Sequence, residues 1–397
     1  MTRAQTPDAP APRARETAPP AHAALPALAS VTIDRWQTLA CEACEANGFY
    51  LPDWALAIDA FARGRTGLSA LTAWSDMPGP ARLIGLMPVT SLWRASKIPL
   101  PALVSADVYG TVGTPLLDLA AADEAARKLM RQARGAGARA LILRNVALDG
   151  AAMKTLTRVL ETDGLRPAVL HAHARACLDA TRDAGELLRD APGAKKLKEL
   201  RRQRHRLADH GEVTFDVART PAEVARALEI FLKLEASGWK AGRGTALLQH
   251  EGDAAFIRHA ATALAKHGQC QIATLRAGAT PVAAAIIVRH QDRAFYFKLG
   301  IDERFAKFSP GVQLTLDLTR HLCADPAIAF VDSLAAPDHP MINAMWRGRL
   351  AIGDVLIPLA RRDPMLALIQ AALMLRQGIR APARHAVGLL RGLRQKR

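Results

Sequence analysis

Residues 269–334 read QCQIATLRAGATPVAAAIIVRHQDRAFYFKLGIDERFAKFSPGVQLTLDLTRHLCADPAIAFVDSL, and the way this stretch divides decides the fold. Three apolar runs come first: Gln269 to Arg276, Val282 to Arg289 and Arg293 to Leu299. The turns between them are short and carry Gly278 and Gln291-Asp292, so the runs are expected as antiparallel neighbours. Ser309-Pro310-Gly311 then opens a helix expected over Val312 to Leu322, with proline in the first turn, where its missing N–H is harmless. Ile328 to Leu334 is a further strand. The third run, the helix and this last strand make a β-α-β unit with parallel strands and a right-handed crossover. A meander that feeds one parallel pair has a change of topology, and ligands sit at such places, beyond the strand C-termini.

Outward from this stretch the pattern stays α/β. Before it come a basic run, Lys195 to Arg206, a strand from Val213 to Val217, and helices from Pro221 to Gly238 and Asp253 to Lys266. After it come a short helix, Met341 to Trp346, and a strand, Leu350 to Leu359. The first half offers helices at 36–46 and 52–61, strands at 68–74, 81–91 and 103–112, a helix at 121–133, a strand at 140–144 and a helix at 153–161. Two domains are therefore expected, 30–180 and 185–360. An Ala/Pro-rich tail, 1–29, read as disordered, precedes them. A basic amphipathic tail, 361–397, follows.

The bulk properties fit this division. A chain of 397 residues exceeds the usual single domain. It carries 53 Lys and Arg against 37 Asp and Glu, and a net charge of +16 points to an anionic partner: a phosphorylated cofactor, a nucleic acid or an anionic membrane face. The five cysteines are odd in number and scattered, which argues against a disulfide framework and for a reducing, cytoplasmic setting. Cys41 and Cys44 form a lone C-x-x-C inside a helical pattern and read as packing residues. His171 and His173 have no partner at a metal-ligand spacing, so no metal is expected. No apolar run reaches membrane-spanning length.

Polar residues set into apolar patterns are the candidates for chemistry. Glu235 extends the stripe of Val224, Leu228 and Phe231, which points a carboxylate inward, as a base or as a partner for Lys240 or Arg243. Trp239 reads as a core or lid aromatic, or as a wall of an acceptor pocket. Tyr296 and Lys298 share parity on one strand and should project from one face, with Phe295, Phe297 and Leu299 on the other. The tyrosine is a proton donor or a packing residue, and the lysine a site for an anionic substrate. Asp332, near the cleft end of the parallel strand, and His339, in a Pro-rich loop, are further acid–base candidates. Ser309, Gly311, Val312 and Gln313 open a helix whose free N–H groups and dipole favour phosphate.

Local motifs bring in a family. Leu234-Glu235-Ala236-Ser237-Gly238-Trp239-Lys240, then Gly242 and Gly244, resembles the Glu-x-x-x-Trp-Lys segment of a bacterial subgroup of GNAT acyltransferases, the CelD-like one found near cellulose-biosynthesis genes. Tyr296-Phe297-Lys298-Leu299-Gly300-Ile301-Asp302, then Ser309-Pro310-Gly311, resembles its core strand and turn. Asn47-Gly48-Phe49, Pro52 with Trp54, Gly85-Leu86-Met87-Pro88-Val89 and Gly113-Thr114-Pro115-Leu116 look like its N-terminal domain. The resemblance spans roughly residues 30–360, and the double layout is similar to FemAB-type transferases.

The resemblance implies two GNAT-like domains, each a mixed, mostly antiparallel sheet flanked by helices, with the C-terminal one catalytic. It implies acetyl-CoA or another acyl-CoA as co-substrate, and direct attack by an amine or hydroxyl of a saccharide or envelope-related acceptor. Glu235, Tyr296, Asp332 and His339 would then be catalytic. Ser309, Gly311, Val312 and Gln313 would hold the cofactor, and Trp239, Lys240 and Lys298 the substrate. One departure stands out: the family's Gln/Arg-x-x-Gly-x-Gly/Ala loop corresponds to Arg304–Val312, which has only Gly311. Two alternatives stay open, aminoacyl transfer from a charged tRNA and a non-catalytic accessory role in polysaccharide synthesis. DNA binding is not expected, since no helix-turn-helix or zinc finger is present. The tail's apolar face, Met365, Leu368, Ile369, Ala372 and Leu375, suits either weak contact with an anionic membrane surface or packing on the protein.

Overall fold

Near-continuous apolar runs in the central strands, and an apolar stripe in each helix, generate a layered α/β architecture. The computed structural model describes residues 24–76, 81–106, 109, 111–190, 194–237 and 246–376. The strands are β1 (Ser69–Trp74), β2 (Leu83–Ser91), β3 (Ala102–Ser105), β4 (Leu116–Leu117), β5 (Ala140–Ala147), β6 (Ala168–Asp179), β7 (Val213–Ala218), β8 (Cys270–Ala277), β9 (Thr280–His290), β10 (Arg293–Ile301), β11 (Phe330–Asp332) and β12 (Gly348–Pro358). The longer helices are α1 (Ile33–Glu42), α2 (Pro52–Phe61), α3 (Leu92–Ser96), α4 (Ala122–Gly135), α5 (Ala151–Thr162), α6 (Ala184–Asp190), α7 (Ala194–Ala208), α8 (Pro221–Ser237), α9 (Glu251–Lys266), α10 (Pro310–Cys323) and α11 (Pro340–Met345).

All twelve strands join one sheet, ordered β1-β2-β3-β5-β12-β6-β11-β10-β9-β8-β7, with β4 beside β2. Each half follows one plan. In the first, β1, β2 and β3 are antiparallel and α4 crosses to β5, which lies parallel to β3. In the second, β8, β9 and β10 are antiparallel and α10 crosses to β11, parallel to β10. A parallel pair thus occurs in both halves, where one was expected. The halves then exchange their last strands. β6 leaves the first half to pair with β11, and β12 leaves the second to pair with β5. β6 and β12 pair with each other at the centre, Ile352 opposite His173. β6 is a strand that the sequence reading leaves unassigned.

Helices cover both faces. One core runs under α1, α2, α4, α5, α8 and α9, and it joins residues of both halves, from Trp54 and Leu129 to Phe256 and Phe297. On the other face α6, α7, α10 and α11 pack over the second half. The helical residues 364–376 pack over the first through Ile369 and Leu373. The described part of the basic tail therefore uses its apolar stripe on the protein, and leaves Leu368 and Leu375 exposed. The rest of that tail, and residues 1–23, lie outside the described residues. Ordered packing begins before Val31: Leu28 is fully buried and its N–H donates to Leu68 O at 2.9 Å.

A histidine bolts the halves together. His290 of β9 accepts from Asn47 N–H at Nδ1, 2.8 Å, and its Nε2 lies 2.8 Å from Ala40 O. This pair of partners requires the neutral ring with its proton on Nε2. Burial holds the His290 pKa below the usual histidine value.

Candidate functional site

The parallel strands β10 and β11 are in register over three residues only, Arg293 to Phe295 against Phe330 to Asp332. β10 runs on to Ile301, while the chain after Asp332 turns away and Ser333 N–H donates to Ala176 O of β6. Residues 296–301 are therefore paired to β9 on one edge, and β11 does not reach them on the other. The split lies beyond the C-termini of two parallel strands, at the change of topology.

The corresponding split of the first half is filled by its own chain. Beyond β3, Ser105 Oγ accepts from Arg144 N–H at 2.9 Å, and Gly113 N–H donates to Arg144 O at 3.0 Å. A Cβ on Gly113 would lie 2.4 Å from that carbonyl, so only glycine allows this approach. The two halves differ at the place where their common plan offers a ligand site.

A β-bulge shapes the β10 edge. Tyr296 is in register with Ile287 and Lys298 with Ile286, so Phe297 is the extra residue. The bulge corrects the expected parity. Tyr296 enters the core under α10, while Phe297 joins Phe295 in the core of the opposite face. Lys298 also reaches that opposite face, where its Nζ donates to Glu235 Oε1 at 2.9 Å. Its ammonium lies 6.0 Å from the ring centre of Tyr109 and 5.9 Å from that of Phe297, within cation–π range.

Glu235 is not presented as an open base. Its side chain is 0% exposed, and Oε2 accepts from Leu247 N–H at 3.0 Å. The inward-facing carboxylate predicted by the α8 stripe is present, and Lys298 is one of its partners. Trp239, Lys240 and Arg243 lie outside the described residues. Tyr109 and Asp253 complete the group and were not singled out from sequence. The Tyr109 hydroxyl donates to Asp253 Oδ1 at 2.8 Å, and its ring stacks on Phe256 at 5.3 Å. Burial, reinforced by the Asp253 carboxylate, raises the Tyr109 pKa far above the ordinary phenol value, so it stays a donor. The sequence offers one signal for it, the rarity of tyrosine, of which the chain has three; the strand expected over 103–112 instead ends as β3 at Ser105, before Tyr109.

Tyr296 is 6% exposed. Thr315 Oγ1 donates to Gly311 O at 2.7 Å, so at 3.1 Å from the Tyr296 hydroxyl it must be the acceptor. Burial raises the phenol pKa. Tyr296 is thereby brought to the start of α10, with its proton committed to a threonine. At that helix start Val312 and Gln313 N–H both donate to Ser309 O at 3.0 Å. Ser309 itself adopts left-handed geometry, φ 53°. A Cβ on Gly311 would lie 3.0 Å from Leu299 and 3.2 Å from Ile301, with Met341 next to them. The Gln313 side chain is 1% exposed and its Nε2 donates to Leu200 O at 2.8 Å. Two of the expected phosphate donors, the Val312 and Gln313 amides, are thus already hydrogen-bonded to Ser309 O, and the side of the turn at Gly311 packs on apolar side chains.

Asp332 is 2% exposed, paired with Arg175, and its Oδ1 accepts from Leu334 N–H at 3.0 Å. His339 is exposed and caps α11, its Nδ1 accepting from Ile342 N–H at 3.5 Å. Neither meets the Glu235–Lys298 pair through any described hydrogen bond. Cys44 sits in an environment that pushes its thiol up to about 11, chiefly by burial. Among the described residues no three His, Cys, Asp or Glu side chains gather as a metal would require, and no helix is long and apolar enough to cross a membrane.

A cavity of about 510 Å³ opens at the end of β10, bordered by Lys233, Leu234 and Ser237 of α8 and by Pro281, Asp302 and Arg304. Arg304 holds the Asp302 carboxyl below its usual range. The cavity adjoins the helix that carries Glu235.

Residues 194–339 match the acetyltransferase (GNAT) domain family. No curated protein matches the chain at a significant level. Among solved structures, the chain is similar to FemX, with a TM-score of 0.54 at 12% identity, over 86% of this chain and 98% of that one. It is also similar to the C-terminal domain of a putative lysylphosphatidylglycerol synthetase from Agrobacterium fabrum, with a TM-score of 0.52 at 15% identity, over 86% of this chain and 96% of that one. At such identities the likeness is one of fold: a FemX-type architecture.

Proposed function

We propose that the chain is an acyltransferase that moves an acyl group from an acyl-CoA to an amine or hydroxyl of a saccharide or envelope-related acceptor. The observation that carries this reading is Lys298, part-exposed on β10 beyond the point where β11 stops pairing with it, set against the filled split of the first half. An extended acyl donor can enter where two parallel strands diverge, at the change of topology. Transfer from a thioester or ester passes through a tetrahedral oxyanion. Lys298, 18% exposed and aimed by Glu235, supplies the positive charge for it. Glu235 is then a positioning residue. The incoming nucleophile attacks directly, and the cavity at the end of β10 receives the acceptor.

The second reading, aminoacyl transfer from a charged tRNA, is favoured by one observation. Two of the amides that a CoA pyrophosphate would use at α10, those of Val312 and Gln313, already donate to Ser309 O, while basic α7 lies close by on the same face. Calorimetric titration of acetyl-CoA and longer acyl-CoAs, followed by an acceptor screen, tests the choice. Binding and turnover support the first reading. No acyl-CoA binding, together with tRNA binding that weakens steeply with salt, replaces it by the second.

A further inference from the structure

On the outer side of α10 a separate cleft of about 240 Å³ lies between α6, α7 and α10. Four arginines from three helices border it: Arg189 of α6, Arg201 and Arg204 of α7, and Arg320 of α10. We propose that this cleft binds a phosphate-bearing small molecule with an apolar body. The inference goes beyond acyl transfer and stands whether or not that reading holds.

The charge count comes first. Asp317 is shared by two of the four guanidiniums, at 2.8 Å from Arg204 and 2.9 Å from Arg320. Arg189 and Arg201 form no ion pair among the described residues. Among the described residues Asp317 is the carboxylate paired with these arginines, Asp183 lies near Arg189 without pairing to it, and four guanidiniums still outnumber them; like charges brought together repel. An anion relieves that repulsion. Guanidinium forks match phosphate oxygens in pairs, which a point charge does not.

The arginines converge because the helices beneath them are fixed. Leu188, Leu200 and Leu316 form an apolar floor, with Leu188 and Leu200 4% and 2% exposed. The Gln313 amide ties α10 to the α7 backbone at Leu200. Gln313, Leu316 and Arg320 follow one another along a single helical stripe, while Leu314 and Leu318 are fully buried in the core. An arginine rim above a leucine floor suits a ligand with a phosphate at one end and an apolar ring or chain at the other. The volume is below the ~300–1,000 Å³ of drug-sized sites, which limits the ligand to something small or to part of a larger one.

A nucleotide and a lipid phosphate share this chemistry, so two probes are needed. ADP would be titrated calorimetrically into the full chain, and phosphatidylglycerol vesicles in phosphatidylcholine would be tested by flotation. Both would be repeated with an Arg189→Ala/Arg201→Ala double variant and with Arg202→Ala. Arg202 is on the same helix but outside the cleft, paired with Glu199. All three arginines are exposed, so the fold should survive. The expected result is binding of one probe, weakened about tenfold or more in the double variant and unchanged in Arg202→Ala. ADP behaving so marks a soluble phosphate ligand; vesicles behaving so mark a lipid. If neither probe's binding depends on Arg189 and Arg201, or if Arg202→Ala weakens it as much, the cleft is not a site.

Discussion

The ammonium of Lys298 and the carboxylate of Glu235 meet at 2.9 Å, one at a strand edge and 18% exposed, the other sealed under a helix. Their unequal exposure assigns unequal roles, and substitution separates them. Lys298→Met should lower kcat by ~10²–10³, the usual loss for a donor to an oxyanion. Glu235→Gln keeps an oxygen for Lys298 and should cost clearly less than the ~10²–10⁴ expected for loss of a general base. Steady-state kinetics of both variants check this. An equal loss in both, with disappearance of the acid limb in Glu235→Gln, would return the base role to Glu235.

Tyr296→Phe tests the acid expected at that position. The hydroxyl is buried and donates to Thr315, so turnover and its alkaline limb should be preserved. Stability should fall by about 1 kcal/mol for the lost hydrogen bond, read from chemical denaturation. A collapse of turnover without loss of stability would show that the phenol reaches the reacting atoms.

Gly300 lets β10 touch α8. A Cβ there would lie 2.9 Å from Glu235 N and 3.2 Å from Phe231 O, both backbone atoms that cannot swing aside. Gly300→Ala should therefore destabilise by about 1–3 kcal/mol and reduce turnover as well, because the same shift moves Glu235 from Lys298. The urea midpoint and kcat should fall together.

His290 makes stability depend on pH. Its folded pKa is depressed, so the unfolded chain binds the proton more readily. The His290 contribution is fully present above the unfolded value of about 6.5 and is lost as pH falls through the lower folded value. Thermal melts from about pH 8 to pH 5 should show a falling midpoint, with a shallower fall in His290→Gln. Identical slopes would mean that other groups control the acid transition.

The meander, the crossover helix and the second parallel strand were legible because their signals are local: apolar runs of strand length, Gly and Asp turns, and a Ser-Pro helix start. The inward Glu235 was legible from the stripe of α8. Its contact with Lys298 was not, because the bulge at Phe297 reverses parity and no composition rule announces an extra residue. β6 escaped notice for a related reason. His171, His173 and Arg175 alternate with alanines and Leu170, and this strand is stabilised by β11 and β12, far away in sequence. The packing around Gly311 was equally hidden, since Leu299, Ile301 and Met341 reach it from three separate positions.

The exchange of β6 and β12 has a consequence for how the chain is made. β5 has β3 on one side and needs β12 on the other, and Gly348–Pro358 is synthesised long after β5. While the nascent chain grows, the first half holds out a bare strand edge, an invitation to pair with neighbouring chains. The second half is its own remedy: its final strand closes the first half as it completes the second. Folding of both halves is thus joined into a single late event, and the first half expressed alone should aggregate.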